Sequence, residues 1–148
     1  MTHRLTEKYI AANWPTQDGN VIDHLTAIEE RVKSVFTYAA EAKDKWRTSA
    51  EKVLNGEKFS DDCDGLAYTC LDLASAAGVD PHRLIRMIVA SPNSKDGKSD
   101  HMIGGYEDDK GNIWVLGDTF GPPRTLDSSG HKLNKYARID TRKWFKQQ

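Results

Sequence analysis

Apolar side chains recur at helical spacing in the first half of the chain. From residue 21 to residue 42 they fall every three or four positions, at Ile22, Leu25, Ile28, Val32, Val35, Phe36 and Ala39. This spacing predicts an amphipathic helix over residues 21–42. The first 20 residues lack the pattern and contain Pro15 and Gly19, so we expect an irregular N-terminal arm there.

Two shorter helices are predicted before the pattern changes. The segment TSAE at residues 48–51 has the spacing of a capping box, and Asn55-Gly56 is a typical helix exit. Residues 60–62 are all good N-cap candidates for a third helix, which should continue to Ala77-Gly78. We therefore expect Cys63 to lie in the first turn of that helix.

The second half of the chain is β-like. Strands are predicted at residues 83–91, 101–106 and 113–118, with a hairpin turn in EDDKGN between the last two and one further strand at 135–140. Helices first and an antiparallel meander afterwards define an α+β domain, with N-terminal helices packed on a small antiparallel sheet.

Composition and charge narrow the class of protein. The 148 residues suit a single domain over 1–148, and 38% hydrophobic with 29% charged residues is typical of a globular protein. A net charge of −1 argues against nucleic acid as the main partner. Because no apolar run approaches a membrane span and the N-terminus lacks a signal-peptide core, we expect no membrane association and a cytoplasmic location. The oligomeric state stays open.

The two cysteines have different surroundings. Cys63 lies among aspartates in SDDCDGLAYTC, where a helix N-terminus would stabilise a thiolate, whereas Cys70 falls on the apolar face and is predicted to be core. Seven residues along one helix separate them by roughly 10 Å, which is too far for a disulfide. Their spacing also disfavours a zinc site.

His101 and Asp118 are predicted to meet at the open end of one hairpin. There a carboxylate can orient an imidazole, and a helix bearing Cys63 across that end would complete a Cys–His–Asp triad of nucleophile, base and orienter. The alternatives are a surface histidine at a strand end and an aspartate that only forms a turn. The other histidines have no such frame, and we expect them to be solvated or incidental: His3, His24, His82 and His131.

These residues carry a family resemblance. DDCDGLAYTCLDLASAAGV and HMIGGYEDDKGNIWVLGD, preceded by DKWRTSAEKVLNG, resemble the bacterial transglutaminase-like cysteine peptidases over about residues 28–120. That family has a Gly-Asp-Cys-Glu-Asp-like helix start, a His-Met-Val-like strand and a Leu-Asp at the end of the next strand. Here Cys63, His101 and Asp118 are separated by 38 and 17 residues, which is in the range expected of the family.

The resemblance implies a papain-like α+β core with Cys63, His101 and Asp118 as the triad. It also implies calcium as an optional ligand held by Asp62 and Asp64, with no cofactor required for the chemistry; ordinary helix capping by the two aspartates is the alternative. The sequence departs from the family pattern where Asp61 replaces the glycine and Gly65 replaces the second acid after the cysteine. Better known relatives are exported and act on an adhesin, and small stand-alone relatives occur in phage genomes.

An oxyanion hole needs two donors. The backbone N–H of Cys63 is the natural first one, and Trp46, Asn55 and Ser60 are candidates for the second, with Trp46 also explicable as a core anchor.

The sequence therefore predicts a cysteine hydrolase that cleaves a peptide or related amide bond through a thioester, with a protein or peptide as substrate. The same triad also serves acyl transfer to an amine, as in transglutaminase-type crosslinking, or hydrolysis of peptidoglycan peptides. A binding module that retains the fold without the chemistry is the alternative from another class.

Overall fold

The chain places its helices before its main sheet in the computed structural model, which describes residues 3–14, 19–39, 48–141 and 143–146. The helices are α1 (His3–Ala11), α2 (Val21–Ser34), α3 (Ala50–Leu54), α4 (Cys63–Ala76) and α5 (Leu126–Ser129). The strands are β1 (Phe36–Tyr38), β2 (Phe59–Asp61), β3 (Leu84–Ala90), β4 (His101–Glu107), β5 (Ile113–Leu116), β6 (Arg124–Thr125), β7 (Lys132–Arg138) and β8 (Phe145–Lys146). The predicted α+β class is confirmed.

The N-terminal third differs from the sequence prediction in two places. Helix α1 occupies part of the segment expected to be irregular, and it buries Leu5 and Tyr9. Helix α2 ends at Ser34 instead of continuing to residue 42, because the next residues pair as β1 in parallel with β2. The rings of Phe36 and Phe59 contact each other across that pair in a tilted arrangement, with their centroids 5.2 Å apart. Phe36, which continued the helical pattern in the sequence, therefore packs against β2 instead of lying on a helix.

The main sheet has the strand order β6-β5-β4-β3-β7-β8. The predicted meander is correct for β3, β4 and β5, whereas β7 crosses back to pair with the other edge of β3. Every neighbouring pair in this sheet is antiparallel. No helix in the described part of the chain is long and apolar enough to cross a membrane.

Helix α4 is the centre of the fold and sets the position of the site. It packs against β4 on one side and against α1, α2 and α3 on the other, and it buries Leu66, Leu71 and Leu73 completely. A Cβ at Gly104 of β4 would lie 3.0 Å from the Leu71 side chain and 2.8 Å from the Leu116 carbonyl oxygen. The glycine therefore lets the helix approach the sheet closely, which brings the first turn of α4 beside the start of β4.

Candidate active site

Cys63 is the first residue of α4, as the sequence predicts. Asp62 is the N-cap, and its Oδ1 accepts hydrogen bonds from the backbone N–H groups of Asp64 at 3.1 Å and Gly65 at 3.2 Å. This cap fixes where the helix begins and leaves Cys63 partly exposed. Cys70 lies about two turns later in α4 and is fully buried. Neither cysteine forms a disulfide.

His101 and Asp118 meet at the open end of the β4–β5 hairpin. His101 Nε2 lies 2.8 Å from Asp118 Oδ1, and both side chains are almost completely buried. Asp118 follows the end of β5 after Gly117, whose φ of +70° suits a glycine. The buried carboxylate of Glu29, from α2, accepts the backbone N–H of Gly117 and so anchors this bend.

A second histidine holds the same carboxylate. His131 Nε2 lies 2.7 Å from Asp118 Oδ2, an Arg124 guanidinium nitrogen lies 2.9 Å from that oxygen, and the Phe120 N–H lies 2.9 Å from Oδ1. Burial alone would raise the pKa of Asp118, but the hydrogen bonds from the two histidines and Phe120 outweigh it and hold the pKa far below its usual range. Asp118 is therefore ionised at neutral pH.

The expectation that the remaining histidines are solvated or incidental is wrong for two of them. His131 is 7% exposed and bound to Asp118, while His24 is 5% exposed on the buried side of α2. His82 is solvent-exposed and pairs with Asp140, in agreement with the expectation. No local motif marks His131, since its contact with Asp118 depends on β7 crossing the sheet. The His3 side chain lies outside the described residues.

Cys63 shares two adjoining pockets with His101. The pockets have volumes of about 280 Å³ and 260 Å³, and both are lined by Cys63, Asp100 and His101. The Cys63 thiol donates to Asp64 Oδ1 at 3.5 Å, and within the described residues it makes no hydrogen bond with His101. The structure thus joins His101 and Asp118 directly and leaves Cys63 beside them, in the same cleft.

The surroundings of Cys63 favour the neutral thiol. Burial raises the pKa of Cys63 to about 12, the Met102 backbone N–H lowers it, and the carboxylates of Asp64 and Asp62 raise it further. Met102 lies in β4 beyond the last pairing with β5, so its N–H is available to the sulfur. A thiolate in this setting requires a proton acceptor or a cation nearby.

Asp61 and Gly65 fit each other across the start of α4. A Cβ built on Gly65 would lie 2.0 Å from the Asp61 carboxyl carbon, so the Asp61 side chain occupies the space that a side chain at residue 65 would need. Asp61 is 3% exposed and its Oδ1 accepts the Asp62 N–H at 2.9 Å. At the start of α4, a carboxylate from β2 therefore fills the space over Gly65.

The donor chemistry beside Cys63 suits calcium, because Asp62 and Asp64 offer the carboxylate oxygens that this ion prefers. Asp62 Oδ1 is also occupied as a helix cap, so capping and ion binding share one side chain. In the described part of the chain, the group whose donor atoms all lie within 4.8 Å of one another is His101, Asp118 and His131. There the hydrogen bonds and the Arg124 cation already satisfy Asp118, which disfavours a metal ion.

Trp46, the candidate second oxyanion donor, lies outside the described residues. Asn55 is exposed at the end of α3 and Ser60 is exposed within β2. The Cys63 N–H at the start of α4 stays the predicted first donor.

The fold matches solved structures of LapG from Legionella pneumophila, whereas no family model and no curated protein matches the sequence. The calcium-bound LapG structure gives a TM-score of 0.63 at 17% identity, covering 96% of this chain and 87% of that one. A second LapG structure gives 0.58 at 18%, covering 91% and 84%, and the EGTA-treated structure gives 0.63 at 17%, covering 97% and 86%. At such identities the comparison establishes the fold, which is that of LapG.

Proposed function

We propose that this protein is a cysteine hydrolase of the transglutaminase-like class that cleaves a peptide or related amide bond. The observation that carries the proposal is the buried His101–Asp118 pair, which lies in the cleft that also contains Cys63 at the start of α4. The fold shared with LapG supports the proposal. The proposed substrate is a protein or peptide.

The catalytic cycle follows from the tautomer that Asp118 selects. Because His101 donates its Nε2–H to Asp118, Nδ1 is free to take the Cys63 proton as the sulfur attacks the carbonyl carbon. The imidazolium then gives this proton to the leaving amine, and a thioester stays on Cys63. His101 next removes a proton from water as the water oxygen attacks the thioester carbonyl carbon. The C–S bond then breaks, which releases the carboxylic acid product, and His101 returns the proton to the Cys63 sulfur.

His131 and Arg124 act as positioning residues in this scheme. Each donates to Asp118 Oδ2, so Oδ1 stays directed at His101. His131 Nδ1 is buried and has no hydrogen-bond partner within the described residues, which favours the neutral tautomer with its proton on Nε2. His131 can therefore hold the carboxylate without adding a charge.

The direct test is peptide cleavage. Incubated with a diverse synthetic peptide library and read by mass spectrometry, wild type and Cys70→Ala should cleave the same bonds, whereas Cys63→Ala should cleave none. Cys70 is the matched control because it is the other free thiol and is buried in the core. Cleavage that persists in Cys63→Ala would contradict the proposal. So would a wild-type protein that cleaves no peptide and whose rate of Cys63 alkylation by iodoacetamide is the same in His101→Ala.

We further propose that calcium binds at Asp62 and Asp64. A bound cation would offset the carboxylates that raise the pKa of Cys63. At a hundredfold excess over its dissociation constant, calcium should add about 2.7 kcal/mol of stability, or a rise of roughly 5–10 °C in Tm for a chain of this size. The measurement is thermal unfolding in calcium and in EGTA.

The calcium response should disappear in Asp64→Asn and persist in Asp127→Asn, where the replaced aspartate is exposed on α5. Equal melting temperatures of wild type in calcium and in EGTA would remove the calcium proposal and leave the hydrolase proposal intact.

A further inference from the structure

The strongest unassigned feature of the cleft is a rigid carboxylate at its centre. Asp100 immediately precedes His101, and its Oδ1 and Oδ2 accept hydrogen bonds from the Ser91 N–H and Ser91 hydroxyl, both at 2.7 Å. Ser91 is 5% exposed, whereas Asp100 is exposed to solvent. The backbone N–H of Asp100 also donates to the Val89 carbonyl oxygen at 3.1 Å. The carboxylate is therefore held in one orientation with its remaining lone pairs available.

Asp100 contributes to the lining of both pockets beside Cys63. One pocket continues over Asp64, Ile88, Ser99 and Met102, and the other continues over Phe36, Tyr38, Thr119 and Phe120. Neither lining contains a lysine or an arginine. The hydrogen bonds from Ser91 lower the pKa of Asp100, so the group is ionised at neutral pH.

Charge and shape both favour a cationic occupant. No lysine or arginine in the described ranges forms an ion pair with Asp100, and neither pocket lining supplies a cation to neutralise it. Tyr38 and Phe120, which are 57% and 54% exposed, provide aromatic surface for the apolar stem or the charged head of a long basic side chain. A substrate carboxylate in the same place would face the negative charge of Asp100.

We propose that Asp100 is a specificity determinant that selects substrates with a lysine or arginine side chain beside the bond that is cleaved. The inference rests on the proposed hydrolase function, because it places the cation next to the carbonyl that Cys63 attacks. Asp100, His101 and Cys63 line the same two pockets, so a cation bound at Asp100 lies in the cleft that receives the carbonyl attacked by Cys63. A charge-assisted hydrogen bond supplies the selection.

The test uses three peptide vinyl sulfones that differ only in the residue next to the warhead, which is lysine, norleucine or glutamate. The second-order rate of Cys63 alkylation is measured for each. In wild type the lysine probe should react at least about tenfold faster than the glutamate probe, and this ratio should decrease at high salt. In Asp100→Asn the ratio should collapse toward 1, and in Asp100→Lys it should invert.

Two further variants separate charge from loop structure. Asp96→Asn is the matched control, because Asp96 also accepts hydrogen bonds within the loop, from Ser94 and Lys98, but lines neither pocket. It should retain the wild-type ratio. Ser91→Ala keeps the Asp100 charge while removing the hydroxyl bond, and it should retain most of the lysine preference.

The outcomes are distinguishable. If Cys63 reacts with the norleucine probe in a His101-dependent way but shows no charge preference, or if Ser91→Ala abolishes the preference as fully as Asp100→Asn, the role of Asp100 is overturned while the hydrolase survives. If none of the probes labels Cys63, both proposals fall together.

Discussion

Replacing His101 with alanine should lower the rate of Cys63 alkylation by iodoacetamide at pH 7 by a factor on the order of 10² or more. The reason is the electrostatic setting of the sulfur, where burial raises the pKa of Cys63 to about 12. A thiol with that pKa is ionised in about one molecule in 10⁵ at pH 7. Without a bound cation, a base in the same cleft is then needed to supply a reactive thiolate at neutral pH.

The pH dependence of the alkylation rate should differ between wild type and His101→Ala. In wild type the rate at neutral pH should be higher than in His101→Ala and should depend less steeply on pH, because His101 accepts the Cys63 proton. In His101→Ala the rate should increase about tenfold for each pH unit through the alkaline range, toward the raised pKa of about 12. The measurement is alkylation followed by mass spectrometry from pH 5 to pH 10.

His82 provides the control for the loss of a histidine. His82→Ala removes an exposed histidine that pairs with Asp140 at the surface, so its profile should match wild type. A wild-type profile that itself rises steadily through the alkaline range would show that Cys63 and His101 do not act as a pair. The hydrolase proposal would then give way to a binding role.

Gly65→Ala should destabilise the fold by about 1–3 kcal/mol, which lowers Tm by roughly 2–12 °C in a chain of this size. In most helices the same change would stabilise, because alanine is the better helix former by about 1 kcal/mol. Here the added Cβ would lie 2.0 Å from the Asp61 carboxyl carbon, and Asp61 is almost completely buried at the end of β2. The steric clash therefore makes this glycine-to-alanine change destabilising instead of stabilising.

A double-mutant cycle tests the cause of this destabilisation. Asp61→Gly removes the obstructing carboxylate, so Asp61→Gly/Gly65→Ala should be more stable than the sum of the single changes by about 1–3 kcal/mol. The reciprocal exchange Asp61→Gly/Gly65→Asp should also fold, since it moves the carboxylate from β2 to α4. A Gly65→Ala variant that melts at or above the wild-type temperature would contradict the clash.

Several features of the fold are predictable from local sequence. Residues 60–62 have short polar side chains, which stabilise a helix N-terminus better than a helix interior. They therefore predict that α4 starts at Cys63, and Asp62 is the residue that caps it. The β4–β5 hairpin follows from two apolar runs around a polar turn, and antiparallel pairing alone then brings His101 to Asp118. The core position of Cys70 follows from helical periodicity.

Other features depend on contacts between distant segments. The pattern from residue 21 to residue 42 is continuous, yet α2 ends at Ser34 because the following residues pair with β2, more than 20 residues later. His24 lies on a face that the pattern assigns to solvent, and the packed structure buries it. Periodicity describes which residues share a face, but it does not say what covers that face.

By itself the sequence determined the α+β class, the helix that begins at Cys63 and the hairpin that joins His101 to Asp118, because each depends on caps, turns and periodicities within a few residues. Only the tertiary structure decided that β7 crosses to the far edge of β3, which brings His131 onto Asp118, and that the Asp61 side chain fills the space over Gly65. Those contacts join residues whose neighbourhood is set by packing and strand order, and a linear pattern carries no record of either.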